Sequence, residues 1–161
     1  MKNLVKRISV IAVALVALTV TTASAQVKGQ SAVGGGLVFN TDDGPTVGLN
    51  FKYQYNITNP LRLEPSFTYF FKDNNVSLWD ISVNLHYLFD VGSDFVLYPL
   101  AGFGIYGVNV SGGGSDTDFG LNLGGGVDYH FDSNWFANFQ IKFAIKDGST
   151  ALIGLGVGYK F

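Results

Sequence analysis

The sequence predicts an all-β fold, an eight-stranded antiparallel up-and-down β-barrel that crosses a membrane. Three observations predict it. From Gln26 onward apolar residues alternate with polar or small ones almost without pause, and a period of two belongs to a strand with two unlike faces. Each alternating run is about ten residues or longer, whereas soluble strands average about 5–6 and bilayer-crossing strands need about 9–11. Gly (21 residues) and the aromatics (14 Phe, 8 Tyr, 2 Trp) are abundant while Cys is absent. An exported chain without disulfides draws its stability from packing or from the membrane.

The first 25 residues read as a signal peptide. Lys2, Lys6 and Arg7 form a basic start, Ile8 to Val20 is an apolar run shorter than a membrane-spanning helix, and Ala23-Ser24-Ala25 fits a cleavage site. Residues 26–161 then form one domain. Without those three basic residues, seven Lys and Arg face twelve Asp and Glu, a formal net charge of −5. A mildly acidic chain without a basic patch is no nucleic-acid binder.

Eight strands follow in order: Gln30–Asn40, Thr46–Asn56, Leu61–Phe71, Leu78–Phe89, Phe95–Val110, Phe119–Phe131, Phe136–Ile145 and Thr150–Phe161. The breaks between them (TDDGP, ITNP, KDNNVS, DVGSD, SGGGSDTD, DSNW, KDGS) are rich in Asp, Asn, Gly and Ser, which bond their own backbone or tolerate positive φ. An even count brings both termini to one side. Pro65 and Pro99 fall inside strands, where each removes a ladder donor. A bulge at each, or a later strand start, is expected.

The two faces differ throughout. Outward rows include Val47, Leu49, Phe51, Tyr53 and Tyr55 in the second strand and Trp79, Ile81, Val83, Leu85, Tyr87 and Phe89 in the fourth. Inward rows are polar or small: Asn50, Lys52 and Gln54; Arg62, Glu64, Ser66 and Thr68; Asp80, Ser82, Asn84 and His86; Asn122, Asp128 and His130; Asn138, Gln140 and Lys142. A soluble ligand-binding barrel would invert this. The fifth strand alternates ambiguously; setting Ala101, Phe103 and Ile105 outward puts Tyr98, Leu100 and Tyr106 inside. Aromatics gather at two heights, as interfacial girdles do. Tyr53, Tyr55, Tyr87, Phe89, Tyr129, Phe131, Trp135, Tyr159 and Phe161 lie near the rim of the termini, and Phe39, Tyr69, Phe71, Trp79 and Phe119 near the other.

Motifs for chemistry are sparse. Gly102 to Gly107 matches G-x-G-x-x-G, but nucleotide binding needs that turn between a strand and a helix. Here the glycines lie within a strand, where they let a narrow barrel close around bulky neighbours. His86 and His130 face inward without a serine motif or a third metal ligand beside them. Asp42-Asp43 and Asp116-x-Asp118 lack calcium-loop spacing and read as solvated turn residues. No catalytic residue, cofactor or metal is assigned. The informative constellation is six interior charges: Lys52, Arg62 and Lys142 against Glu64, Asp80 and Asp128. Buried unpaired charges are costly, and an eight-stranded barrel is just wide enough for its own side chains. A paired network that fills the lumen is expected, rather than a water-filled path.

The chain ends A-L-I-G-L-G-V-G-Y-K-F, and its Gly156, Tyr159 and Phe161 resemble the C-terminal signal of bacterial outer-membrane β-barrels that insertion machinery reads. This ending, the leader, the eight two-faced strands and the segment Tyr98-Pro-Leu-Ala-Gly-Phe-Gly resemble the porin-like, outer membrane protein A/X superfamily of small bacterial outer-membrane barrels. The resemblance implies an outer-membrane location with both termini periplasmic. It implies contact with outer-membrane lipid and lipopolysaccharide, handling by insertion machinery and periplasmic chaperones, and a monomer. Within that family three functions fit: a structural or surface-interaction barrel with a mostly plugged polar lumen, a small porin-like pore, or an outer-membrane lipid-modifying enzyme. The sparse His, Ser and Asp sets support the enzyme least, and a non-enzymatic role is expected.

Overall fold

Among the described residues, alternating side chains and short Asn-, Asp- and Gly-rich turns produce only antiparallel strands. The computed structural model describes residues 27–42, 46–73 and 75–161; the expected signal peptide, and Asp43, lie outside the described residues. The strands are β1 (Ser31–Asn40), β2 (Thr46–Asn56), β3 (Leu61–Asp73), β4 (Val76–Tyr87), β5 (Phe89–Val91), β6 (Phe95–Val110), β7 (Ser115–His130), β8 (Trp135–Lys146) and β9 (Gly148–Lys160). Sequence neighbours pair, except β4 and β5, which both pair with β6, and β1 pairs with β9 from Ala32↔Lys160 to Asn40↔Leu152, closing the ring. The nine segments make eight staves, because β4 and β5 lie end to end against β6.

Proline explains that interruption. The β4–β6 and β5–β6 ladders keep one register, and they lapse at Tyr87 and Leu88, opposite Pro99 and Tyr98. Pro99 has no N–H to donate. The Leu88 N–H instead donates to the carbonyl of Pro60 at 2.7 Å. Pro65 acts likewise on its β2 side, where pairing lapses between Lys52↔Ser66 and Tyr55↔Leu63 without a change of register. The expected bulges are therefore corrected: both prolines sit mid-strand and cost ladder bonds, not register. The irregularity in register lies elsewhere, between Phe70 and Asp73.

Other boundaries shift outward. The segment before Phe119 continues the hairpin, Asn109↔Ser115 to Tyr106↔Asp118, so the loop shrinks to residues 111–114. Gly112 takes φ +81° at that turn. At the other end Phe161 N–H donates to the Ser31 carbonyl at 3.0 Å, tying the chain end to β1.

The faces sort as the alternation requires. Exposed apolar side chains cover the outside, among them Phe51, Phe67, Ile81, Phe103, Leu121, Leu123, Phe139 and Leu155. Tyr98, Leu100 and Tyr106 are buried inside while Phe103 and Ile105 are exposed, which resolves the ambiguous strand as expected. Near the rim where β1 begins and β9 ends, aromatic rings pair: Tyr87 with Phe89 and Phe95 with Tyr129 at 4.9 Å, Trp135 with Tyr159 at 5.1 Å. Towards the opposite rim Phe103 stacks on Phe119 at 5.9 Å.

Candidate functional site

The lumen gathers the polar side chains of six staves. Arg62, Glu64, Asp80, His86, Asn122 and Asp128 are each 3% exposed or less. Burying such groups costs several kcal/mol per ion unless partners answer them, so the partners decide what the interior can do.

Arg62 of β3 is the hub nearest the terminal rim. Its Nη1 donates to Asp128 Oδ2 at 2.7 Å, and Nε lies 3.2 Å from His86 Nδ1. Its guanidinium sits 4.8 Å from the centre of the Tyr98 ring, and that ring stacks on His86 at 4.3 Å. Arginine offers only donors, so Nδ1 of His86 accepts and the imidazole proton sits on Nε2. That nitrogen faces Glu64 Oε1 at 3.5 Å. Asp128 receives a second bond from Asn138 Nδ2 at 2.6 Å, and Asn138 Nδ2 also donates to Tyr98 Oη at 2.7 Å.

Lys52 and Glu64 continue the network. Lys52 Nζ donates to Asn138 Oδ1 at 2.7 Å and stands 3.7 Å from Glu64 Oε2, which accepts from Gln54 Nε2 at 2.7 Å. Towards the loop rim, Lys142 Nζ lies 3.5 Å from Asp80 Oδ1 and 3.2 Å from Ser82 Oγ. Tyr106 donates to Asn122 Oδ1, and Asn122 Nδ2 donates to Asn84 Oδ1 at 2.9 Å. Above this layer an apolar cluster of Val38, Phe70, Leu152 and Leu78 closes the loop end.

All six sequence-assigned charges thus face inward, and the structure brings them together as Arg62–Asp128, Lys52–Glu64 and Lys142–Asp80. Sequence reasoning missed His86 as the neutral acceptor of Arg62, and missed Tyr98 and Asn138 as the links between charges. Inward parity was the available signal for all three. His130 stands apart, its ring 5.4 Å from Phe136. Gly102–Gly107 lies within β6, with no helix to complete a phosphate cradle. Among the described residues no three His, Cys, Asp or Glu are grouped for a metal ion. Gly156 faces the seam with β1, Tyr159 faces outward, and Phe161 projects past the last ladder pair.

Space inside is scant. One cavity of about 30 Å³ touches Gly36, Asn50, Lys52, Lys142 and Gly154. Another of about 10 Å³ touches Ala32, Asn56, Arg62, His130 and Lys160. Two glycines, Gly126 facing the lumen and Gly107 on the outer face, show how tightly the bulky residues fit. A Cβ on Gly126 would collide with the Tyr98 hydroxyl and the Phe139 carbonyl, and one on Gly107 would enter the Trp79 ring.

Residues 10–161 match the family model described as outer membrane protein beta-barrel domain. The fold is similar to the N-terminal β-barrel domain of OprF from Pseudomonas aeruginosa, with TM-score 0.74 and 21% identity over 84% of this chain and 100% of that one. It is also similar to Ail, the attachment invasion locus protein of Yersinia pestis, with TM-score 0.62 and 22% identity over 84% of this chain and 100% of that one. OprG from Pseudomonas aeruginosa gives TM-score 0.62 and 14% identity over 84% and 97%. No curated protein sequence matches.

Proposed function

The chain belongs to the outer-membrane β-barrel family, and from that premise we propose that it is a plugged barrel with a structural or surface-interaction role. Its work then lies on the lipid-facing wall and the exposed rims, not in transport. The observation that carries this reading is the pairing of Lys52, Arg62 and Lys142 with Glu64, Asp128 and Asp80 within a layer of hydrogen-bonded amides, under an apolar cluster. Arg62, Asp128 and their neighbours fill the section that a solute would have to cross. The termini face the periplasm in this reading, which sets the β6–β7 hairpin on the cell exterior. Lipid and lipopolysaccharide surround the exposed apolar rows of a monomer. Chaperones and insertion machinery engage Gly156, Tyr159 and Phe161 during assembly.

Single-channel recording in a planar bilayer tests the reading. A silent bilayer, with insertion verified, supports it; discrete, reproducible steps overturn it. A second reading, a small porin-like pore, draws on cavities beside Lys52, Lys142 and Lys160.

A further inference from the structure

The interior is filled unevenly. The inward positions of β1 between Ala32 and Val38 are Gly34 and Gly36, and those of β9 between Leu152 and Lys160 are Gly154, Gly156 and Gly158. Facing glycines put no side chain into that side of the lumen. Both cavities lie against it, the larger beside Gly36, Gly154 and Gly156, the smaller beside Ala32 and Lys160.

The charges bordering the cavities are of one sign. Lys52 and Lys142 border the larger, and Arg62 and Lys160, with His130, border the smaller. Glu64, Asp80 and Asp128 border neither; they stand on β3, β4 and β7, behind the cations. The two ammonium groups also keep donors in reserve. Each has three N–H bonds. Among the described residues, Lys52 makes one hydrogen bond, to Asn138, and Lys142 one, to Ser82; their carboxylates stand 3.7 and 3.5 Å away. A buried cation with spare donors beside a small polar cavity suits an anion no larger than a halide.

Two closures interrupt this side of the lumen. Val38 and Leu152 line the larger cavity, and Phe70 packs with both at the loop end. Between the cavities the Phe136 ring rests on Gly158, and the Lys52 stem rests on Gly34.

We infer that the β1–β9 seam is a latent path for small monovalent anions, lined by Lys52, Lys142, Arg62 and Lys160 and held shut by Phe70 and Phe136. This inference rests on the plugged-lumen reading, since it describes where the plug is thinnest.

The test is planar-bilayer recording under a potassium chloride gradient. The unaltered protein is compared with Phe70→Ala/Phe136→Ala and with the milder Phe70→Leu/Phe136→Leu, which keeps the barrel filled should the first pair fail to fold. Insertion is verified by the faster migration of unboiled barrels on gels. The unaltered barrel should be silent, and at least one folded pair should conduct with a several-fold preference for chloride over potassium. Adding Lys142→Gln should reduce that preference. A folded, inserted Leu pair together with a silent or unfolded Ala pair overturns the inference if neither conducts. Cation-selective steps in either pair overturn it too, while leaving the plugged reading intact. Open conductance in the unaltered protein overturns both.

Discussion

Replacing Arg62 with alanine is the severest single test of the interior network. The substitution strands Asp128, which is 0% exposed and loses its 2.7 Å partner. Breaking a buried ion pair from one side costs about 3–5 kcal/mol, because a charge is left without a counterion. Asn138 still donates to the other Asp128 oxygen at 2.6 Å, which pulls the cost towards the lower figure. Two further losses push it back. His86 Nδ1 loses its donor, at about 1–3 kcal/mol for an unsatisfied buried acceptor, and the Tyr98 face loses its cation, at about 2 kcal/mol when desolvated. These effects share atoms and overlap, so the expected loss is about 4 kcal/mol, close to three powers of ten in the folding equilibrium. Urea unfolding from lipid vesicles, followed by the fluorescence of Trp79 and Trp135, measures it. Removing both charges, as Arg62→Met/Asp128→Asn, should recover at least half of the loss, since a pair replaced together leaves no orphan charge. A loss below about 1 kcal/mol in Arg62→Ala, or a double variant that falls by the full sum of the singles, would refute the network argument.

The other predictions concern the wall. Gly107→Ala should destabilise by about 1–3 kcal/mol through overpacking against Trp79, and the loss should shrink in a Trp79→Leu background; the same urea titration reads it. Leu123→Arg, halfway along the exposed face of β7, should cost about 2–4 kcal/mol, whereas Tyr129→Arg at the rim should cost about 0–1. Equal costs would mean that the wall does not face a bilayer core. Phe161→Ala should lower the amount of barrel assembled in cells while leaving refolding into vesicles unchanged, as measured by gel migration in both settings. An equal defect in both would make Phe161 a stability residue rather than an assembly signal.

Much of the barrel was legible in the sequence, because a strand's two faces are written by a period of two and need no distant information. The rows Arg62, Glu64 and Asp80, Ser82, Asn84, His86 could be assigned inward from parity alone. Which charge meets which could not. Arg62 reaches Asp128, 66 positions away, because ring closure and strand stagger set the two at one height. Pro65 and Pro99 were read with the right chemistry and the wrong geometry. Each loses ladder bonds, but the register is fixed by the facing pairs on either side and does not slip. Ser115 to Asp118 looked like loop because its residues favour turns, yet pairing with Tyr106–Asn109 makes it strand. The neutral role of His86 follows from three-dimensional contact with a donor-only side chain, which no local pattern records.

The glycine-faced seam also bears on how the ring is made. Its partners are the most distant in the chain, Ala32 with Lys160 at one end and Asn40 with Leu152 at the other. Each doubling of a loop costs about 0.6 kcal/mol of chain entropy, so joining these strands demands roughly 2 kcal/mol more than forming a ten-residue hairpin. That late, entropically expensive encounter falls where the fewest interior side chains must find their places. Bonds between neighbouring staves, such as Gln54 to Glu64 and Asn138 to Asp128, can be arranged on the open sheet, leaving the seam's backbone bonds and cross-lumen contacts such as Lys52 with Asn138 to form when the first strand meets the last.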